Sequence, residues 1–261
     1  MEVFLNIDAW VALATLTFLE IVLGIDNIIF ISIATGKLPG ESRKSATKLG
    51  MFLAMFMRIV LLLGISYLIA MKEPWISLDF SWLHAQISGQ SLILLFGGLF
   101  LIYKSTNEIR EKVDNKGHEE QEVKKSATKS YSSVIMQIIL IDLVFSFDSI
   151  LTAVGMTNGV SGALYIMITA VVISVLVMMQ FAVPVGNFVN KNPSIQILGL
   201  SFLILIGLML ITESAHLSNA LVMGTHVTPI PKGYLYFAIS FSLMVEVLNM
   251  KVSKKEKKSK L

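Results

Sequence analysis

Long apolar runs separated by short polar segments dominate the chain. Each run is about 20 residues long, enough for an α-helix to cross the hydrocarbon core of a bilayer. The runs cover residues 11–34, 50–71, 91–107, 133–155, 162–189, 195–212 and 233–250. The pattern therefore predicts an all-α polytopic membrane protein with about seven transmembrane helices.

The composition supports this class of protein. Apolar residues make up 54% of the chain, charged residues only 15%, and the mean hydropathy is +0.73, which is outside the range of a soluble domain. Glu2 and Asp8 stand where a cleavable signal peptide would carry basic residues, so we expect the first run to be a retained helix. Without Cys there is no disulfide framework and no thiolate metal site.

The basic residues predict the orientation of the helices. If the N-terminus lies outside, nearly all of the 21 Lys and Arg residues fall in cytoplasmic segments, as the positive-inside rule requires. Lys72 and Lys232 remain outside, and Arg58 falls within the second run. We therefore expect a multi-pass protein of the cell (inner or plasma) membrane with an outer N-terminus and a cytoplasmic C-terminus.

An acidic motif occurs twice within the apolar runs. Glu20 is followed six residues later by Asp26 and then Asn27, while Asp142 is followed six residues later by Asp148 and then Ser149. A charged side chain near the bilayer centre costs about 2.5 kcal/mol or more, so these carboxylates need a partner or a function. Their duplication suggests one site built from two halves of the chain.

The order of the helices predicts an inverted repeat. Three helices precede the charged segment and three follow it, so the second set enters the membrane from the opposite side, as in many secondary transporters. The seventh helix lies outside the repeat. The predicted units are residues 1–107 (first repeat), 108–132 (charged cytoplasmic linker and helix extension), 133–213 (second repeat), 214–250 (outer loop and seventh helix) and 251–261 (Lys-rich cytoplasmic tail).

The two acidic motifs have the same estimated depth in the membrane, near its midplane. At about 1.5 Å per residue, Glu20 and Asp142 both lie about 14 Å deep, from opposite faces. The same estimate puts Arg58 level with Asp26 and predicts that it is the counter-charge of that carboxylate. A straight helix would leave Glu20 and Asp26 about 120° apart, so we expect Gly24 to permit a local break.

Other polar residues have weaker assignments. Glu246 on the seventh helix is either functional or an interhelical hydrogen-bond partner. Glu213, His216 and His226 lie at or beyond outer helix ends, where they are interfacial or assist the passage of a metal. The acidic motifs have a structural interpretation too, as protonated or paired groups that stabilise helix packing.

Four sequence blocks resemble the TerC family of integral membrane proteins. They are residues 18–30, 98–109, 141–150 and 231–240, and they include both acidic motifs and the Pro-Lys-Gly-Tyr segment at the start of the last helix. The resemblance implies membership of the LysE transporter superfamily and an activity in manganese efflux, with some members linked to tellurium resistance. It also implies that Glu20, Asp26, Asp142 and Asp148 are the family's intramembrane acidic residues.

We interpret the chain as a secondary exporter of a divalent cation, Mn²⁺ above all, coupled to protons. Glu20, Asp26, Asn27, Asp142, Asp148 and Ser149 would supply the metal ligands. The alternative is a structural or assembly protein with envelope protein partners, linked to metal or tellurium stress. We expect no enzymatic activity, no nucleic-acid partner and no permanently bound cofactor, because no nucleophile–base pair, zinc motif or phosphate loop occurs.

Overall fold

The computed structural model describes residues 6–114, 130–157, 159–160 and 162–259, without the side chains of residues 25, 26 and 253–259. Long helices dominate this part of the chain. The elements are α1 (Ile7–Thr35), α2 (Gly40–Leu63), α3 (Ile65–Ala70), β1 (Pro74–Phe80), β2 (Leu83–Ser88), α4 (Gly89–Asp114), α5 (Tyr131–Met156), α6 (Ala163–Lys191), α7 (Pro193–Leu217), β3 (Leu221–Val222), β4 (Thr225–His226) and α8 (Lys232–Ser259).

Within the described residues, 7 helices are long and apolar enough to cross a membrane. They are all of the α-helices except the short α3, which confirms the predicted all-α polytopic fold. The second helix differs most from its prediction, because α2 begins at Gly40 and ends at Leu63. Its first turns carry charged residues that a search for apolar runs leaves out, and Gly64 separates it from α3.

The principal helix contacts join the two predicted halves. α1 packs on α6, α2 packs on α5, and α4 packs on α7. Suppose that α1, α2 and α4 of the first half correspond to α5, α6 and α7 of the second. The contact of α1 with α6 is then equivalent to that of α5 with α2, and the contact of α4 with α7 is equivalent to itself. An inverted repeat requires this pattern of contacts, while the boundaries of the repeats stay a prediction.

Two glycines allow α4 and α7 to cross closely. A Cβ atom on Gly98 would lie 2.6 Å from the carbonyl oxygen of Gly207, and a Cβ on Gly207 would lie 2.8 Å from that of Gly98. Membrane helices commonly associate through small residues of this kind, because lipid provides no hydrophobic force between helices. Any larger residue at either position would push the two helices apart.

A small antiparallel sheet lies at one end of the helix bundle. Its strand order is β1-β2-β3-β4, so a hairpin before α4 pairs with a hairpin between α7 and α8. We call this the sheet end of the bundle; the charge pattern predicts that it faces outside. The apolar-run pattern did not predict these strands, because residues 74–88 mix polar and apolar positions without a sustained alternation.

Candidate functional site

Arg58 joins the two acidic motifs deep in the bundle. Its Nη1 donates a hydrogen bond to Glu20 Oε2 on α1, and its Nη2 donates to Asp142 Oδ1 on α5 at 3.1 Å. All three side chains are buried. Carboxylates from both predicted halves therefore share one guanidinium, and burial makes each of these charges dependent on the others.

Neighbouring polar side chains complete the arrangement. Ser146 Oγ accepts a hydrogen bond from Arg58 Nε at 2.9 Å and donates one to Asp142 Oδ2 at 2.9 Å. Asn27 Nδ2 donates to Asp142 Oδ1 at 3.4 Å. We call these five residues, Glu20, Asn27, Arg58, Asp142 and Ser146, the Arg58 cluster. It is a continuous buried network, in which each member limits the positions of the others.

Arg58 contacts Glu20 and Asp142, while its predicted pairing with Asp26 stays a prediction. Asp26 lies within α1, but its side chain is outside the described residues. The depth estimate started α2 at residue 50, whereas the helix starts at Gly40. Arg58 is therefore about 15 Å farther from the start of its helix than the estimate assumed.

A cavity of about 270 Å³ extends from the Arg58 cluster toward the sheet end. Apolar residues of α7 and α8 line part of it, together with the Pro229–Pro231 segment that precedes α8. Its polar lining comprises the cationic side chains of Arg58 and Lys232 and the oxygen-bearing side chains of Glu20, Asn27, Asp148, Ser149, Glu213 and Tyr236. The fold thus brings together five of the residues predicted as ligands or counter-charge, and adds Glu213 to them.

A smaller cavity of about 20 Å³ lies on the other side of Arg58. Asp142 lines this second cavity, while Arg58 and Asn27 line both. The remaining walls of the small cavity are apolar side chains, among them Ile31 and Met178. Arg58 and Asn27 therefore form the partition between a wide space toward the sheet end and a narrow one beyond it.

Asn27 carries an unused acceptor at this partition. Its Oδ1 is buried and has no hydrogen-bond partner among the described residues. The contact with Asp142 determines the orientation of the Asn27 amide, because Nδ2 donates to the carboxylate. The reverse orientation would place the amide oxygen against a carboxylate oxygen. A buried acceptor without a donor is costly, and an amide oxygen is a suitable ligand for a hard cation.

Asp148 has a separate partner near the sheet end. Lys232 Nζ, in the first turn of α8, donates to Asp148 Oδ2 at 2.7 Å and to Thr152 Oγ1 at 3.0 Å. The side chain of Asp148 is 21% exposed and that of Lys232 33%, so this pair is partly solvated. The sequence analysis placed Lys232 outside but did not predict this contact.

The expected break in α1 is not observed. α1 and α5 run as continuous helices through both acidic motifs. Gly24 instead gives room to α6, because a Cβ at this position would lie 2.1 Å from Met178 Sδ. Its absent side chain therefore serves helix packing.

The other predicted residues have different positions. Glu213 lines the cavity and is near the charges of Asp148 and Lys232. His216 on α7 and His226 in β4 are exposed, and Glu246 on α8 is half-buried; these three are not among the described residues that line the cavity. Among the described side chains, which exclude Asp26, no group of three or more His, Asp or Glu has an arrangement that could hold a metal ion.

Comparison with known proteins gives the family. A model of the integral membrane protein TerC family matches residues 5–261, nearly the whole chain. The chain belongs to the TerC family. The predicted resemblance is therefore confirmed, and the protein is an integral membrane protein. No solved structure matches this TerC-family chain.

Several similar proteins have been curated. A UPF0053 protein of Haemophilus influenzae is 46% identical over 245 residues, which cover 94% of each chain. The UPF0053 inner membrane protein YgdQ of Escherichia coli K12 is 46% identical over 248 residues, or 95% of each chain. The inner membrane protein YoaE of the same strain is 44% identical over 250 residues, which cover 95% of this chain but only 44% of YoaE. A multi-pass inner membrane location fits these relatives.

Proposed function

We propose that this TerC-family protein is a secondary transporter that exports Mn²⁺ in exchange for protons. The observation that carries the proposal is Asn27 Oδ1, which no described side chain contacts by a hydrogen bond, at the point where the acidic cavity meets the Arg58 cluster. Asn27 lines the same cavity as Glu20 and Asp148, carboxylates from the two halves of the chain. A cation at the partition would give Oδ1 a partner.

The donor set favours manganese over softer metals. The polar lining of the cavity offers carboxylate, amide and hydroxyl oxygens, and the sequence contains no Cys. Oxygen ligands suit Mn²⁺, Mg²⁺ and Ca²⁺, whereas Zn²⁺ and Cu⁺ prefer imidazole and sulfur ligands. Carboxylates also take up protons, so a site that releases the metal can be neutralised by protons from outside before it returns.

Arg58 supplies a counter-charge for the empty transporter. Its single positive charge is shared by Glu20 and Asp142 and partly compensates the two buried carboxylates when no metal is present. An arriving cation would take over part of this role and loosen the Arg58 cluster. Because the cluster links α1, α2 and α5, its rearrangement is a route by which metal binding can change the packing of the two halves.

Cellular manganese content provides the test. Cells loaded with manganese should contain less of it when the protein is expressed, and this difference should vanish with Asp148→Asn. Elemental analysis of magnesium, calcium, iron and zinc in the same samples measures selectivity. Unchanged manganese with correctly inserted protein, together with a fall in another metal, would reassign the substrate.

A further inference from the structure

The ammonium group of Lys232 lies among side-chain oxygen atoms. It contacts Asp148 Oδ2 and Thr152 Oγ1, two oxygens one helical turn apart on α5. The Thr152 hydroxyl donates its own proton to the main-chain oxygen of Asp148 at 3.0 Å, which leaves its lone pairs for Lys232. Ser149 and Glu213 line the same region of the cavity. These carboxylate and hydroxyl oxygens are also ligands for a hard divalent cation.

The contact between Lys232 and Asp148 is suited to breaking and forming again. Both side chains are partly exposed, and solvated ion pairs of this kind add little to stability. Lysine carries a compact charge on a flexible stem, so Lys232 can leave and return without a large change in the backbone. A buried pair such as Arg58 with Asp142 does not share this freedom.

Lys232 lies where α8 meets the cavity. It is the first residue of α8, and its preceding Pro229–Pro231 segment lines the cavity. Among the described elements α8 packs mainly on α7, and only 11% of its membrane span is buried. Leu235 and Ile239 anchor the first turns of α8 in the core, so Lys232 moves by its own flexible side chain.

We propose that Lys232 is a tethered competitor of the transported cation at Asp148. This role rests on the proposed export function. Lys232 is a positioning residue, which acts through the carboxylate of Asp148. Mn²⁺ displaces the ammonium group when it reaches the outer part of the cavity. The return of Lys232 to Asp148 then expels the metal to the outside and lowers the chance that external Mn²⁺ rebinds.

Binding of Mn²⁺ to the purified protein in lipid nanodiscs tests the inference. The electron paramagnetic resonance signal of free Mn²⁺ falls as the ion binds, so a titration gives the dissociation constant. Lys232→Met should lower this constant about tenfold, because a unit positive charge within a few ångströms of the site is removed. Lys232→Arg, which keeps the charge, should remain within about threefold of the wild type. Lys72→Met, an exposed residue at the sheet end, is the matched control and should leave the constant unchanged.

A transport measurement complements the titration. In proteoliposomes, external Mn²⁺ should inhibit export by Lys232→Met at about tenfold lower concentration than export by the wild type, and Lys232→Arg should restore the wild-type response. Lys232→Gln replaces Lys232→Met if the latter does not fold. If the wild type binds Mn²⁺ and the neutral variants have the same dissociation constant, the role of Lys232 is wrong and the export function is unaffected. Absence of Mn²⁺ binding by the wild type would overturn both.

Discussion

The Arg58 cluster and the Lys232–Asp148 pair both neutralise acidic residues of the duplicated motif, but in different surroundings. Arg58 is buried with Glu20 and Asp142 between three helices, whereas Lys232 and Asp148 are partly exposed in the cavity wall. Removing one member of a buried pair leaves an uncompensated charge, while solvent compensates the partner of an exposed one. We therefore expect similar ion pairs to have different consequences, with Arg58 contributing to stability and Lys232 available for exchange.

The two halves also differ around their acidic motifs. Ser146 occupies the position in the second motif that Gly24 occupies in the first. Ser146 contacts Arg58 of α2, and Gly24 accommodates Met178 of α6. Arg58 contacts acidic residues of both motifs, whereas the side chain that lies against Gly24 of the first motif is the uncharged Met178. The duplicated acids share one counter-charge, which makes the centre of the site asymmetric.

The largest expected effect on stability comes from Arg58→Met. It would leave two buried carboxylates without compensation and lower the free energy of unfolding by about 3–5 kcal/mol. Unfolding in detergent, followed by circular dichroism, measures the change. A triple variant that also carries Glu20→Gln and Asp142→Asn is the control, since it has no buried charge to compensate. Its stability should recover much of the loss; no recovery would mean that Arg58 acts through packing alone.

Ser146→Ala should have an intermediate effect. The change removes the acceptor of Arg58 Nε and one donor to Asp142, which should cost about 2 kcal/mol. Ser201→Ala is a matched control, because the exposed Ser201 hydroxyl donates only to the carbonyl of its own helix. Equal unfolding free energies for the two variants would contradict the proposed importance of Ser146 in the buried network.

Gly24→Ala tests the corresponding position in the first half. The new Cβ would contact Met178, whose flexible side chain can move aside, so we expect a loss of about 1 kcal/mol. Adding Met178→Ala should remove the clash and reduce the penalty of the glycine substitution. If Gly24→Ala is equally destabilising with and without Met178, its effect does not arise from this contact.

Asp148→Asn should change stability least. Its partly exposed pair with Lys232 is worth at most about 1 kcal/mol, so the unfolding free energy should stay within that range of the wild type. Manganese export should nevertheless be lost, and we expect the same loss for Asp26→Asn. Unfolding in detergent, alongside cellular manganese content, separates the two effects. A large loss of stability in Asp148→Asn would instead favour a structural role for this carboxylate.

The sequence predicted the helices better than their mutual orientation. Apolar runs identify membrane spans because lipid demands both apolar side chains and internally bonded backbone. Charged residues extend α2 to Gly40, and apolarity alone could not find that extension. The estimates of depth gave no rotation about the helix axis, so they could not select Glu20 and Asp142 as partners of Arg58. The contact of Lys232 depended on where α8 meets α5, which only tertiary packing decides.

Mn²⁺ flux in proteoliposomes most directly tests whether the acidic cavity is a transport site. Purified wild type and Asp148→Asn are reconstituted at equal density under a proton gradient, and Mn²⁺ movement is followed with a fluorescent dye. We expect rapid flux for the wild type, and for the folded Asp148→Asn variant a rate near that of protein-free vesicles. Wild-type flux no faster than that of protein-free vesicles, or undiminished flux with Asp148→Asn, would contradict the proposal that the cavity is a transport site.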